Sequence, residues 1–421
     1  MSFDELKSGI DNELTLYYQE KYYLWDDLIK KINHFSIASP YIVSAQDQDR
    51  FSTVLILLYG FINMKTVFLA NSVASPFFRR GIEGVANKLN TPPLSNEETT
   101  ALAIATSGSQ SKAKIIFISR TNIVSHCDNF IKAIPINTSS VWLNCMPLNH
   151  IAGVMIIYRC WFNNASMLLH DNFNARKVWD DLHHFSVTHI SLVPRMLSQL
   201  LEHSQNSEPP KTLKFAIVGG DKISESLFQR AISAGWPVYL SYGMTEATST
   251  IAIGYTPDKL TPLSGFKIQL TSDNILKIKG AMVVQEMLAQ ETIVKEVPAS
   301  EEWFETNDRV MWDGQYLSVQ GRNDNMIISG GKNMYPQYIE SLLSVSPVID
   351  DIAIGKVSND EWGDTIAALV CGDLDEFKIW VKKEIQSACQ PRIFIKVEQI
   401  PRNVMGKIDR KEVVNIISNH N

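Results

Sequence analysis

The sequence predicts an α/β protein. A large N-terminal domain of layered, mostly parallel sheets and helices carries a β-rich subdomain, and a small α+β domain follows at the C-terminus. Three observations predict it. The chain has 421 residues, more than one hydrophobic core usually serves. Between Val141 and Leu240, apolar strand-like runs alternate with helical periods, the pattern of parallel strands joined by crossover helices. From about Ser264 short alternating strands take over, and after Gly321-Arg322-Asn323-Asp324 a compact α+β pattern follows. The expected domains are therefore 1–322 and 323–421.

Taken in order, residues 1–35 place Leu6, Ile10 and Leu14, then Leu24, Leu28 and Ile32, at helical spacing. Phe51 to Phe61 reads as a core helix, Thr66 to Leu69 as a strand, and Pro92 to Thr100 as a loop. Leu102–Ala105 and Ile115–Ile118 read as strands, and Asn122–Phe130 as the start of a helix. Strands near Val141, Met167, His189, Phe215 and Val238 then alternate with helices near Gly153, Ala175, Pro194 and Ser224. The β-rich part contributes runs at Lys267, Ile275, Ile293 and Tyr316. The last domain reads as a helix from Pro336, strands from Ile352 and Thr365, a helix over 374–388 and a strand from Ile393.

Composition narrows the function classes. Hydrophobic residues make up 45% and charged residues 20%, a globular and not a disordered balance. The net charge is -6, with no dense Lys/Arg run, which argues against a nucleic-acid surface. The longest apolar run, Val54 to Met64, is interrupted by Asn63 and falls short of the roughly 20 residues of a membrane span. The polar, acidic N-terminus is not a signal peptide. Five cysteines without a C-x-x-C pair read as reduced thiols of a cytoplasmic protein.

Six segments can carry chemistry. Tyr242-Gly243-Met244-Thr245-Glu246 follows a strand-like run and the pair Gly219-Gly220. It offers an aromatic face for a base, a hydroxyl for a phosphate and a carboxylate for Mg²⁺, or else a strand-to-helix turn capped by Thr245. Thr106-Ser107-Gly108-Ser109, running on to Lys114, is either a phosphate cradle or a polar surface turn, and it lacks Walker A spacing. His150 stands before an apolar helix as a ligand-facing or a capping residue. Asp308 is a ribose-binding carboxylate or a turn aspartate, and Arg322 its neighbour or a surface arginine. Lys407 follows Gly406, either as a mobile ammonium for developing negative charge or as part of a solvated basic tail. His183, His184 and His189 lack partner carboxylates for a metal site.

In this order, TSGSQSKAK, LNH, YGMTE, TNDR, GRNDNMIISGGKNMYPQYIE and PRNVMGKIDR resemble the adenylate-forming superfamily of acyl- and aryl-CoA synthetases, adenylation domains and luciferases, from about Asp47 onward. The resemblance implies ATP, Mg²⁺ and coenzyme A as cofactor and co-substrates, and a carboxylic acid activated as acyl-AMP and passed to a thiol. It implies that Thr106, Ser107, Gly108, Ser109 and Lys114 hold the β- and γ-phosphates. Gly219, Gly220 and Tyr242 would meet adenine, Gly243 would let the turn approach the phosphates, Thr245 would touch the α-phosphate, Glu246 the metal, and Asp308 with Arg322 the ribose. Lys407 would serve adenylation. His150 would gate the acyl pocket. A mobile small domain would turn at Asp324 and bring Gly331 and Lys332 to the thioester site.

MPLNHIAG, THISLVPRMLSQLL and the VGGD segment resemble most the o-succinylbenzoate–CoA ligases of menaquinone synthesis. Met155, Val193, Val218, Tyr239 and Ser241 are the expected acyl-pocket residues, with Arg195 either facing a second carboxylate or standing exposed on the surface at the start of its helix. The sequence departs from the family at Ser111 and Ala113, where a Gly and a Pro are usual, and its phosphate loop begins early, so the N-terminal subdomain is expected to be reduced. A ligase loading a separate carrier protein, and a binder of acyl-adenylates without turnover, remain alternatives. No nucleic-acid partner or integral membrane segment is expected, and a homodimer is left open.

Overall fold

The structure is a computed structural model and describes residues 15–34, 37, 39, 41–45, 49–70, 100–107, 113–289, 302–329, 332–357, 364–403 and 406–420. The expected helix before residue 15, the loop from Pro92 and the run near Ile293 lie outside these residues.

The N-terminal helix is corrected in part. Thr15–Tyr18 and Lys21–Leu24 pair as an antiparallel hairpin, and only Trp25–Asn33 is helical. Gln19 and Glu20 at the turn have φ of 46° and 62°, the left-handed pair that a two-residue hairpin needs. Leu16 is fully buried and Tyr17 packs on Phe185, so a tyrosine-rich alternation overrides the helical spacing of the leucines. Thr15–Tyr18 also joins Ser166–Leu169 in parallel, which extends the main sheet.

That sheet has nine strands among the described residues. Its order is Thr261–Pro262, Ser249–Gly254, Val238–Met244, Phe215–Gly219, His189–Leu192, Val141–Asn144, Ser166–Leu169, Thr15–Tyr18 and Lys21–Leu24. From Val238–Met244 to Thr15–Tyr18 every pairing is parallel. The crossover helices Ile151–Phe162, Ala175–His184, Pro194–His203 and Glu225–Ser233 lie where the apolar periods predict them. A five-stranded sheet, Glu286–Ala289, Ala113–Ser119, Thr100–Ser107, Thr66–Ala70 and Tyr41–Ala45, and a four-stranded antiparallel one, Lys267–Leu270, Ile275–Lys279, Phe304–Trp312 and Leu317–Arg322, complete the large part.

Two elements that position the site depart from the sequence reading. In Phe304–Trp312 the inward residues are Thr306, Asp308 and Val310, so the alternation is mostly polar and reads as a turn. Arg410–Asn419 is a helix capped by Asp409, whose side chain accepts from Lys411 and Glu412 amides, where a basic tail was the competing reading. The 374–388 helix ends at Glu384.

Beyond residue 326 the apolar residues form their own clusters on the two faces of Ile349–Val357, Thr365–Gly372 and Ile393–Lys396. Ile352, Ile354 and Val370 face Phe377, while Ala353, Leu369 and Ile395 face Val413 and Ile417. This is the period-two alternation of a sheet covered on both sides. Arg410 Nη2 donates to Glu340 Oε2 at 2.7 Å and Arg410 Nη1 to the Ile354 carbonyl at 3.0 Å. The pair pins Pro336–Leu343 to the last helix. All five cysteines are buried, and none forms a disulfide. Among the described residues no helix is long and apolar enough to cross a membrane.

His189 is stacked between Trp142 and Phe215 at centroid distances of 5.1 and 4.7 Å, and burial lowers its pKa to about 4. Buried His126 is likewise held well below its usual value. The unfolded chain therefore binds more protons than the folded one between pH 4 and 6.5, and stability present above 6.5 is lost as the pH falls toward 4. The thermal midpoint should drop across that window, and His189→Gln should flatten the drop in a pH series of melting curves.

Candidate active site

A cleft of about 440 Å³ opens where the C-terminal ends of the parallel strands face the four-stranded sheet and the small domain. Doubly wound sheets place their ligand crevice at this end. Each wall has a local cause. A Cβ on Gly219 would lie 2.7 Å from the Ser241 carbonyl oxygen, and Gly220 has φ of +85°, so the strand can end tightly only with this pair. A Cβ on Gly243 would lie 1.9 Å from the Ser249 carbonyl oxygen, at a bulge between Tyr242 and Gly243. The bulge turns the chain into the 3₁₀ turn Thr245–Ala247. Its N-cap is Met244, without a side-chain cap bond. Thr245 is therefore no cap, and it lines the cleft with Glu246. The Glu246 carbonyl accepts from Val284 N at 2.9 Å, and Thr248 Oγ1 donates to the Met282 carbonyl at 2.7 Å, so the turn is held from behind.

Across the cleft, Tyr242 Oη donates to Asp308 Oδ2 at 2.6 Å. Thr306 Oγ1 accepts from the Asp308 amide at 3.1 Å, and Arg322 Nη1 stands 3.8 Å from Asp308 Oδ1. Burial raises the Asp308 pKa, which the Tyr242 bond and Arg322 oppose. Burial, then Asp308, drives the Tyr242 phenol far above its usual value. Arg322 also grips Asp324, with Nε 2.9 Å from Oδ1 and Nη2 2.8 Å from Oδ2. Asp308 and Arg322 are direct cross-strand partners.

Lys407 enters from the small domain. A methyl group on Gly220 would sit 3.6 Å from its Cε. Burial lowers the Lys407 pKa, offset by Asp221 and Asp308. His150 precedes Ile151–Phe162 without making a side-chain cap bond, and its Nε2 is buried without a hydrogen-bond partner. Burial and then the charge of Lys407 take it to about 4, so the ring is neutral at pH 7. Thr245 is not the cap of its turn, whereas His150 occupies the N-cap position of its helix without a side-chain cap bond.

Thr106 and Lys114 are cross-strand partners and both line the cleft. Ser107 ends its strand, with its side chain outside the described residues, where Gly108, Ser109 and Gly331 also lie. Lys332 opens the strand Lys332–Met334, and its side chain is likewise not described. Of the expected acyl-pocket residues, Val218 and Ser241 line the cleft. Met155 is fully buried in the core. Tyr239 packs between Phe215 and Tyr255 at 5.0 and 4.5 Å, on the half of its strand away from the cleft. Val193 and Arg195 line a neighbouring cavity of about 440 Å³ with Phe173, Met196 and Gln199. Sequence reasoning missed Lys222 and Gln337, which both line the cleft. Gln337 lies inside the YPQYIE segment, but a lone glutamine carries no motif of its own.

Among the described residues no group of three or more His, Cys, Asp and Glu could hold a metal. Glu246, one of the carboxylates that line the cleft, suits an ion that takes its remaining ligands from water and substrate phosphates, as Mg²⁺ does.

Residues 42–286 match the family model of the AMP-binding enzymes, and the chain belongs to that family. It is 27% identical to a 2-succinylbenzoate–CoA ligase of Lactococcus lactis subsp. lactis, over 75% of this chain and 71% of the relative. Its fold superposes on the o-succinylbenzoate CoA synthetase of Bacillus subtilis solved with the acyl-adenylate intermediate. The TM-score is 0.83 at 21% identity, with 97% of each chain covered. The complex of that enzyme with ATP and a magnesium ion gives 0.82 at 21% identity, with 98% of each chain covered. The mostly parallel α/β architecture with a small second part is the fold of those structures.

Because the Gly243 bulge admits no side chain, Gly243→Ala should lower stability by about 2 kcal/mol or more. Urea unfolding of the variant beside the wild type measures it.

Proposed function

We propose that this enzyme is an ATP-dependent acid–CoA ligase. It would activate an aromatic or medium-sized carboxylic acid as acyl-AMP and then form the CoA thioester. The observation that carries the reading is Lys407, an ammonium from the small domain inserted beside Gly220 and opposite Asp308. An acid oxygen attacks the α-phosphorus of ATP and pyrophosphate leaves. Negative charge then grows on the α-phosphate and fades on the carboxylate, where a positioned cation acts most strongly. Asp308 accepts the two ribose hydroxyls with the oxygen capacity that Tyr242 leaves free. Thr106 and Lys114, with Ser107, Gly108 and Ser109, meet the β- and γ-phosphates, and Thr245 the α-phosphate. Gly219, Gly220 and Tyr242 flank the adenine, and Gly243 lets the chain approach the phosphates. Glu246 would hold Mg²⁺, which neutralises the polyphosphate charge when bound.

The domains would divide at 322/323. For the second half-reaction, the small domain would turn at Asp324, withdrawing Lys407 and presenting Gly331 and Lys332. Neutral His150 would then yield the path along which the CoA thiol displaces AMP. The names of the relatives suggest o-succinylbenzoate, and thus menaquinone biosynthesis. Arg195 beside Phe173 and Met196 in the second cavity supports an aromatic acid with a further carboxylate. Buried cysteines without disulfides support a cytoplasmic enzyme. A homodimer is tested by sedimentation.

Pyrophosphate release with Mg·ATP, CoA and a panel of acids headed by o-succinylbenzoate tests the reading. Acid-dependent release with CoA alone supports it, and release only with a carrier protein overturns the choice of acceptor. Lys407→Ala should lower adenylation by about 10²–10³-fold and leave thioester formation from supplied acyl-AMP intact. Equal loss in both halves would refute its role. Arg195→Ala should raise KM for o-succinylbenzoate about tenfold while sparing KM for ATP. An unchanged KM removes Arg195 from acid binding.

A further inference from the structure

The loop that carries Lys407 is a short hairpin with two anchors. Arg402 and Ile408 form an antiparallel bridge. The Asn403 amide donates to the Lys407 carbonyl at 2.8 Å, and the Asp409 amide to the Pro401 carbonyl at 2.9 Å. The Lys407 amide donates to Asn403 Oδ1 at 3.2 Å. Gly406, with φ of +74°, makes the turn just before the lysine. These bonds shape the hairpin, but none ties it to the rest of its domain. Arg402 does so. Its Nη1 donates to the Gly406 carbonyl at 3.0 Å, and its Nη2 to both oxygens of Asp351, at 3.0 and 2.7 Å. Asp351 lies in Ile349–Val357, beside the irregularity that interrupts its pairing with Thr365–Gly372.

We infer that Arg402, tethered by Asp351, is a positioning residue that sets the reach of Lys407 into the cleft during adenylation. The guanidinium holds the peptide bond directly before the lysine and a strand of the small-domain sheet at once. A rigid planar fork fixes both distances, which a lysine at the same place does not. A displacement of 1 Å in a reacting group lowers rates about a hundredfold. The inference rests on the proposed role of Lys407. It extends that role to residues outside the cleft wall.

The two half-reactions separate the outcomes. Arg402→Ala should lower acid-dependent pyrophosphate release about a hundredfold and leave thioester formation from synthetic acyl-adenylate within about threefold. The loss should sit in kcat, with KM for ATP nearly unchanged. In a Lys407→Ala background the same substitution should have no further effect, because a residue that acts only through Lys407 has nothing left to position. Asp351→Asn keeps the guanidinium, weakens its tether and should give a smaller loss of the same kind, which guards against a folding defect in Arg402→Ala. Equal losses in both half-reactions, or a full additional loss in the Lys407→Ala background, would overturn the positioning role. If Lys407→Ala alone leaves adenylation untouched, the role of the lysine itself fails, a result distinct from either.

Discussion

The bond from the Tyr242 hydroxyl to Asp308 holds the cleft together. It joins the end of a parallel strand in the nine-stranded sheet to the middle of an antiparallel strand in the four-stranded one. Its setting is nearly dry, so the bond is stronger than it would be in water, and either partner left alone would be costly. The carboxylate it orients stands next to Arg322, and Arg322 in turn grips Asp324. One chain of polar contacts thus runs from the main sheet to the proposed domain junction. A nucleotide that engages Asp308 would bear directly on the residue about which the small domain is proposed to turn.

The cleft is shaped by backbone restrictions and lined by charges of both signs. Gly219 and Gly243 let strand ends approach closer than any side chain permits, and Gly220 turns the chain at φ of +85°. The hydroxyl of Thr245 and the carboxylate of Glu246 are then presented from a turn buttressed by Met282 and Val284. Lys114, Lys222, Arg322 and Lys407 face the same space, and burial weakens the proton affinity of Lys222 and Lys407. The neighbouring His150 remains neutral in part because the Lys407 ammonium is close. One ammonium stands on a loop of the small domain proposed to turn, and a neutral ring stands on the large one. That arrangement suits a cleft proposed to serve two successive transition states.

Motif residues outside the cleft carry the small domain itself. Glu340 and Arg410, both in segments that resemble the superfamily, form a bidentate pair between two helices and do not reach the nucleotide side. Arg402 is tied to Asp351 and to the carbonyl before Lys407. Part of the chemistry of the motif is thus the accurate placement of one lysine, held by planar charged hydrogen bonds.

The sequence by itself determined the sheet-and-helix alternation, the break in texture near residue 321 and the residue types of the cleft. Those rest on local periodicity, glycine freedom and functional-group chemistry, all of which are written along the chain. Only the tertiary structure decided which side of each residue counts. The helical spacing before Trp25 gave way to a tyrosine hairpin, because pairing with Ser166–Leu169 buries more than a lone helix could. Asp308 read as a turn because its strand turns polar residues inward. Tyr239, next but two to Tyr242, fell away from the cleft because it packs between Phe215 and Tyr255 on the far half of its strand. Arg402 and Asp351 are 51 residues apart in sequence, and no local pattern pairs them. Contacts of that separation are set by how sheets and domains stack, which a linear reading does not contain.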